Sequence, residues 1–180
     1  MTHRIGPLSS AAVSRISLLH RACFPDDPWD VDVLAQVMGI PGFFGHVEWR
    51  EDTLAGFALA LDLGREAEIL SLGVLREHRR TGVATTLLDA LCFEAGERGA
   101  KSVVLEVAEN NVAGRALYTA NSFTVVGHRR NYYRQSGCWV DALILRRELA
   151  PPLRNLSSLQ PWIPLCFLKI ATDLLETAGH

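Results

Sequence analysis

The stretch from Glu68 to Val107 limits this chain most, because a strand, a helix and a second strand follow one another there with short links. Residues Glu68 to Leu75 (Glu-Ile-Leu-Ser-Leu-Gly-Val-Leu) read as a strand whose Ile69, Leu72 and Val74 are candidates for the core. Gly82 to Arg98 reads as a helix. Val83, Ala84, Leu87, Leu88, Leu91, Cys92 and Ala95 form an apolar stripe on it, and Gly99 is a natural C-terminal cap. Ser102 to Val107 is a short β-branched run bracketed by Lys101 and Glu109, which suits a buried strand. A crossover of this kind commits the chain to a sheet with helices packed on it.

The flanks complete the pattern. Two helices are expected first, over Leu8 to Arg21, ended by Cys23-Phe24-Pro25, and over Asp30 to Met38, where Val31, Leu34 and Val37 share a face. After Pro41-Gly42 the period changes. Phe43 to Trp49 and Leu54 to Leu63 read as antiparallel strands around a turn at Glu51-Asp52. Asn111 is a good N-cap for a short helix holding Ala116, Leu117 and Tyr118. Phe123 to Gly127, Arg130 to Arg134 and Trp139 to Arg146 read as closing strands. The expected class is α/β (α+β), a mixed sheet with helices on both faces. Pro151-Pro152 marks the edge of a domain over residues 1–150, and residues 151–180 are expected to form an appended helix or tail.

Composition narrows the setting. At 180 residues the chain has the length of one domain. With 18 basic against 20 acidic side chains and a net charge of −2, it gives no global reason to expect nucleic-acid binding. Cys23, Cys92, Cys138 and Cys166 are scattered singly, without metal spacing, so they are expected to be reduced thiols. No signal-peptide pattern and no membrane-length apolar run is present, which leads to the expectation of a soluble, cytoplasmic protein that binds no metal.

The turn between the central strand and helix is the first candidate site. Arg79-x-x-Gly82-x-Ala84 opens the helix, and a helix N-terminus carries unpaired N–H groups and partial positive charge that favour an anion. Gly82 permits close approach and positive φ. Taken alone, the same residues also fit an ordinary turn with a solvated basic edge.

At this point the chain resembles a known family. Arg79-Arg80-Thr81-Gly82-Val83-Ala84, after Leu72-Gly73-Val74, is similar to the acetyl-CoA signature of the GCN5-related N-acetyltransferases. Cys23-Phe24-Pro25 with Pro28-Trp29, Leu105-Glu106-Val107, Asn111, Ala116-Leu117-Tyr118, Arg130-Asn131-Tyr132-Tyr133 and Asp141-Ala142 resemble the ribosomal-protein-alanine branch of that family. The likeness runs over about residues 3 to 148. It implies a mixed sheet of six or seven strands with a splayed central parallel pair.

It also implies residue roles. Arg79, Arg80, Thr81, Gly82, Val83, Ala84 and Thr85 would hold the diphosphate of acetyl-CoA. The backbone of Leu72, Gly73 and Val74 would pair with the pantetheine arm, with an N–H of Gly73 or Val74 facing the oxyanion, and Asn111 would add a cofactor contact. Glu106 matches the general base and Tyr118 the general acid. From the residues alone, Glu106 also fits a water-facing strand position, Tyr118 a core aromatic and Asn111 a plain helix cap. Glu68 is a rival base. Tyr132 and Tyr133 with Arg129, Arg130 and Arg134 would shape the acceptor site or edge a strand.

One departure is Ser122, where the family usually has Gly. A positive φ there would cost Ser about 1 kcal/mol. The expected activity is direct acetyl transfer from acetyl-CoA to a protein N-terminal α-amine, with a ribosomal protein as acceptor, by a monomer or weak dimer. The alternatives are a small-amine (polyamine or aminoglycoside) acetyltransferase and a non-catalytic acyl-CoA-binding module.

Overall fold

The computed structural model of the chain describes residues 3–135 and 137–150. It begins with β1 (His3–Pro7), then α1 (Val13–Cys23), α2 (Val31–Met38), β2 (Phe43–Arg50), β3 (Thr53–Asp62) and β4 (Glu66–Val74). The crossover helix α3 (Val83–Glu97) leads to β5 (Ser102–Ala108), α4 (Val112–Ala120), β6 (Thr124–Gln135) and β7 (Cys138–Glu148). The seven strands lie in the order β1-β2-β3-β4-β5-β7-β6. Every neighbouring pair is antiparallel except β4 and β5.

Local chemistry explains the element starts. The Asp30 carboxylate caps α2 by accepting from Val33 N at 2.9 Å, and Asn111 caps α4 by accepting from Gly114 N at 2.9 Å. Gly99 ends α3 at φ 103°, a value that disfavours residues bearing a Cβ.

The sheet has a core on each face. Leu87, Leu88, Leu91, Cys92 and Ala95 of α3 pack on Ala58, Ala60, Ile69, Val103 and Leu105. Ile16 and Leu19 of α1 and Leu34 of α2 pack on Val47, Phe57 and Leu59 on the opposite face. β3 is buried on both sides because it presents large residues to the short helices and small ones to α3. Gly56 serves the same fit: a Cβ there would lie 2.9 Å from Val83 Cγ1 and 3.0 Å from Leu87 Cδ1.

His20 ties the N-terminal helices to β4. Its Nδ1 accepts from Trp29 N at 3.0 Å, its Nε2 lies 3.3 Å from Ser71 Oγ, and its ring stacks on Trp29 at 4.9 Å. Burial pushes its pKa down to about 4, against a smaller upward pull from Asp27. The folded imidazole therefore binds fewer protons than the unfolded one, so its contribution is complete above about pH 6.5 and is lost as pH falls towards about 4. Protonation would also set a proton on Nδ1 against the Trp29 N–H. We expect acidification over that window to destabilise the fold by roughly 2 kcal/mol, seen in urea midpoints. His20→Gln should flatten that slope, and an unchanged slope in the variant would contradict the assignment.

Three expectations need correction. His3–Pro7 is an edge strand paired with β2, which its Gly6-Pro7 ending and lack of alternation hid. The first helix starts at Val13, after a 3-10 turn over Ser10–Ala12, and runs on to Cys23. The expected strands Phe123 to Gly127 and Arg130 to Arg134 are one continuous strand, β6, with register shifts after Val125 and Arg129. Ser122 does adopt positive φ, at 65°, so the serine carries the expected strain. The appended helix expected over residues 151–180, and Cys166 within it, lie outside the described residues. Cys23, Cys92 and Cys138 are free thiols.

Candidate active site

The site begins where the parallel pair stops. Pairing between β4 and β5 runs only from Glu66↔Ser102 to Ile69↔Leu105. β4 then bulges, since Ile69 pairs with Ala60 and Ser71 with Leu59, leaving Leu70 between them. The bulge reverses which face each side chain takes. Ala67 and Ile69 join the α3 core, Leu70 the opposite core, and Leu72 and Val74 return to the α3 side. This is how one odd and two even positions, all expected in the core, share a face. Beyond the bulge, the β5-facing backbone groups of Leu72 to Val74 have no strand to pair with. Gly73 is required here: a Cβ would lie 2.7 Å from the Phe57 ring and 3.1 Å from Cys23 Sγ.

The turn into α3 closes one end of the splay. Arg80 has φ 64° and Gly82 φ 90°, so the chain kinks through the left-handed region just before the helix. The first helical bond is Thr86 N to Gly82 O at 3.0 Å, and no side chain caps the helix. The N–H groups of Val83, Ala84 and Thr85 consequently point out of the first turn without helical acceptors. Thr81 Oγ1 donates to His78 O at 2.7 Å, and Arg79 Nε donates to Val74 O at 3.1 Å, tying the turn to the end of β4.

Glu106 and Glu68 face each other across the splay. Both line a cleft of about 230 Å³, together with Glu66 and with Arg129 and Arg146 from the far strands. Burial raises the Glu68 pKa, and the Glu106 charge raises it further. The Glu106 side chain is 16% exposed, and its Oε1 lies 2.5 Å from Arg129 Nε. The Glu106 carboxylate raises the pKa of the Tyr132 phenol beside it. Arg129 sits over the Tyr132 ring at 5.5 Å. Arg146 pairs with Glu66, which also accepts from Ser102 Oγ at 3.2 Å.

Tyr118 projects from α4 against the rim of the α3 core, edge-on to Phe123 at 5.7 Å. Burial first, and the neighbouring Tyr133 second, push its pKa far above the usual phenol value, so it stays a protonated donor. The Tyr133 hydroxyl donates to the Glu106 carbonyl at 3.2 Å, and its pKa is pushed up to about 12 by burial and then by Glu106. Of the basic-aromatic cluster noted in the sequence, Arg129, Tyr132 and Tyr133 converge on Glu106, while Arg130 and Arg134 are exposed. The β6 bulge makes this possible. Asn131 at its crest has φ 52°, and its N–H donates to Asp141 Oδ1 at 2.8 Å. Asp141 Oδ2 in turn lies 3.2 Å from His128 Nε2. Asn111 is engaged as the α4 cap.

A strand pair that splays beside an uncapped helix N-terminus, with two carboxylates across the gap, makes a cleft suited to an extended, anion-bearing group. Residues 14–123 match the profile of the acetyltransferase (GNAT) family. The N-alpha-acetyltransferase RimI of Mycobacterium tuberculosis is 35% identical over 153 residues, spanning 82% of this chain and 94% of that protein. The crystal structure of the ribosomal-protein-S18-alanine N-acetyltransferase from Escherichia coli superposes with a TM-score of 0.78 at 25% identity, covering 86% of this chain and 99% of that one. Arabidopsis thaliana NAA60 in complex with acetyl-CoA shares the fold, with a TM-score of 0.71 at 22% identity over 82% of this chain and 98% of that one. The chain belongs to the GNAT family and is an N-acetyltransferase. Among the described residues, no helix is long and apolar enough to cross a membrane.

Proposed function

We propose that this enzyme transfers an acetyl group from acetyl-CoA directly to the α-amine of a protein N-terminus, with a ribosomal protein as acceptor. The observation that carries the reading is the opening of β4 from β5 between the α3 turn and the paired Glu106 and Glu68. The names of the Mycobacterium and Escherichia proteins support the choice of acceptor. Bound acetyl-CoA supplies an activated thioester. The donor set fits it: the N–H groups of Val83, Ala84 and Thr85, with Arg79, Arg80 and Thr81 around Gly82, suit a diphosphate. The β5-facing backbone groups of Leu72, Gly73 and Val74, apart from the Val74 carbonyl held by Arg79, suit an amide-bearing arm. An N–H of Gly73 or Val74 would face the oxyanion, and Asn111 would border the arm while capping α4.

Glu106 takes the proton of the incoming amine. An α-amino group has a pKa near 8, so its deprotonation is partly complete in water and a modest base suffices. Tyr118 gives a proton to the departing sulfur. A thiol with a pKa of about 8.5 leaves fairly well unaided, so Tyr118→Phe should lower kcat by about tenfold to a hundredfold. That loss should leave the KM for acetyl-CoA unchanged in steady-state assays, and an unaltered kcat would remove Tyr118 from the mechanism.

The direct test is acetylation of a panel of N-terminal peptides and small amines, read by mass spectrometry. Acetyl groups on peptide α-nitrogens are expected. Reaction with polyamines or aminoglycosides alone would replace this reading, and coenzyme binding without transfer to any amine would indicate a non-catalytic module.

A further inference from the structure

Glu106, the proposed base, meets an arriving amine with a cation already at one of its oxygens. Its Oε1 is paired with Arg129 Nε at 2.5 Å, and the Glu106 side chain is 16% exposed. An ion pair at this distance places a positive charge against one carboxylate oxygen, where it competes with an arriving ammonium. The partner is movable. The Arg129 side chain is 56% exposed, it lies on the edge strand β6, and it follows directly on Gly127 and His128 beside a register shift. The Tyr132 ring lies under the guanidinium at 5.5 Å and gives it a second resting surface, so that it can swing without being cast into water.

We propose that Arg129 is an acceptor-operated latch on Glu106, and that it makes the enzyme select peptides over simple amines. This rests on the acetyl-transfer reading above. A peptide N-terminus carries an ammonium and, one residue on, a backbone carbonyl. As it enters the cleft, the ammonium replaces the guanidinium at Glu106 and the carbonyl accepts from the released guanidinium. Each charge exchanges one partner for another and none is stranded. A simple alkylamine brings a cation and no acceptor. To reach Glu106 it must break the pair and leave Arg129 unmatched at the mouth of the cleft, which disfavours productive binding. Discrimination thus comes from a repulsive element already in place as well as from new contacts. Arg129 is in this sense a positioning and specificity residue, acting through Glu106.

The test compares wild type, Arg129→Ala and Arg129→Lys on a short N-terminal peptide and on n-butylamine, with acetyl-CoA affinity measured beside them. Arg129→Ala should raise the KM for the peptide about tenfold and raise kcat/KM for n-butylamine, so the peptide-to-amine preference falls by at least about a hundredfold. Arg129→Lys keeps the charge and one donor and should restore part of the preference. Acetyl-CoA affinity should be the same in all three proteins, which also shows that they are folded. If wild type acetylates the peptide and the preference is unchanged in Arg129→Ala, the latch is wrong and the transfer reading survives. If wild type binds acetyl-CoA and acetylates neither amine, the transfer reading fails and the latch falls with it.

Discussion

Replacing Glu106 with Gln should lower kcat for peptide acetylation by at least about a hundredfold, close to 2.7 kcal/mol of transition-state stabilisation, with acetyl-CoA affinity unchanged. The amide keeps the shape and an oxygen beside Arg129, so the variant should melt near the wild-type temperature. What it loses is the basic lone pair. Glu68 sharpens the comparison. Its raised pKa comes from burial and then from the charge on Glu106, so removing the Glu106 charge should bring the Glu68 pKa down. With Glu106 as the base, Glu68→Gln should cost clearly less than Glu106→Gln. The reverse order would move the base to Glu68. Single-turnover rates would separate this chemical effect from product release.

The second large effect is expected at Gly82. Its φ of 90° is strained for any residue with a Cβ, although nothing lies within 4 Å of where that Cβ would stand. Gly82→Ala should therefore fold and bind acetyl-CoA about tenfold more weakly, the backbone strain of about 1 kcal/mol being joined by loss of close approach. Gly82→Asp adds a like charge about 5 Å from the diphosphate, worth about 3 kcal/mol at an effective dielectric constant of about 20. A loss of at least about a hundredfold is expected, and calorimetric titrations at two salt concentrations would measure it. The gap between the Asp and Ala variants should narrow as salt rises. Equal affinities for wild type and Gly82→Asp would place the diphosphate elsewhere.

Much of the fold is legible in the chain because α3 carries its signals locally. The stripe from Val83 to Ala95 and the cap at Gly99 depend only on residues within that segment. Glu106 was legible for a similar reason: it is the one charge in the apolar run Val103 to Val107, so the alternation of β5 must turn it away from the α3 core. What the chain does not show locally depends on pairing between distant strands. Nothing local marks Leu70 as the bulged residue of β4, because the bulge exists only relative to β3. Arg129 and Tyr133 reach Glu106 because β6 shifts register against β7, a displacement stabilised by Asp141 from the next strand. β1 is an edge strand too short to show a period, held by its pairing with β2. Gly73 reads as an ordinary strand residue until Phe57 and Cys23 are seen to crowd it.

A crystal structure of the protein with acetyl-CoA tests the central claim most directly. The expected result has the diphosphate on the N–H groups of residues 83–85, the pantetheine amides along Leu72 to Val74, and the thioester between Glu106 and Tyr118. A coenzyme bound outside the gap between β4 and β5, or with its thioester remote from both side chains, would contradict the account.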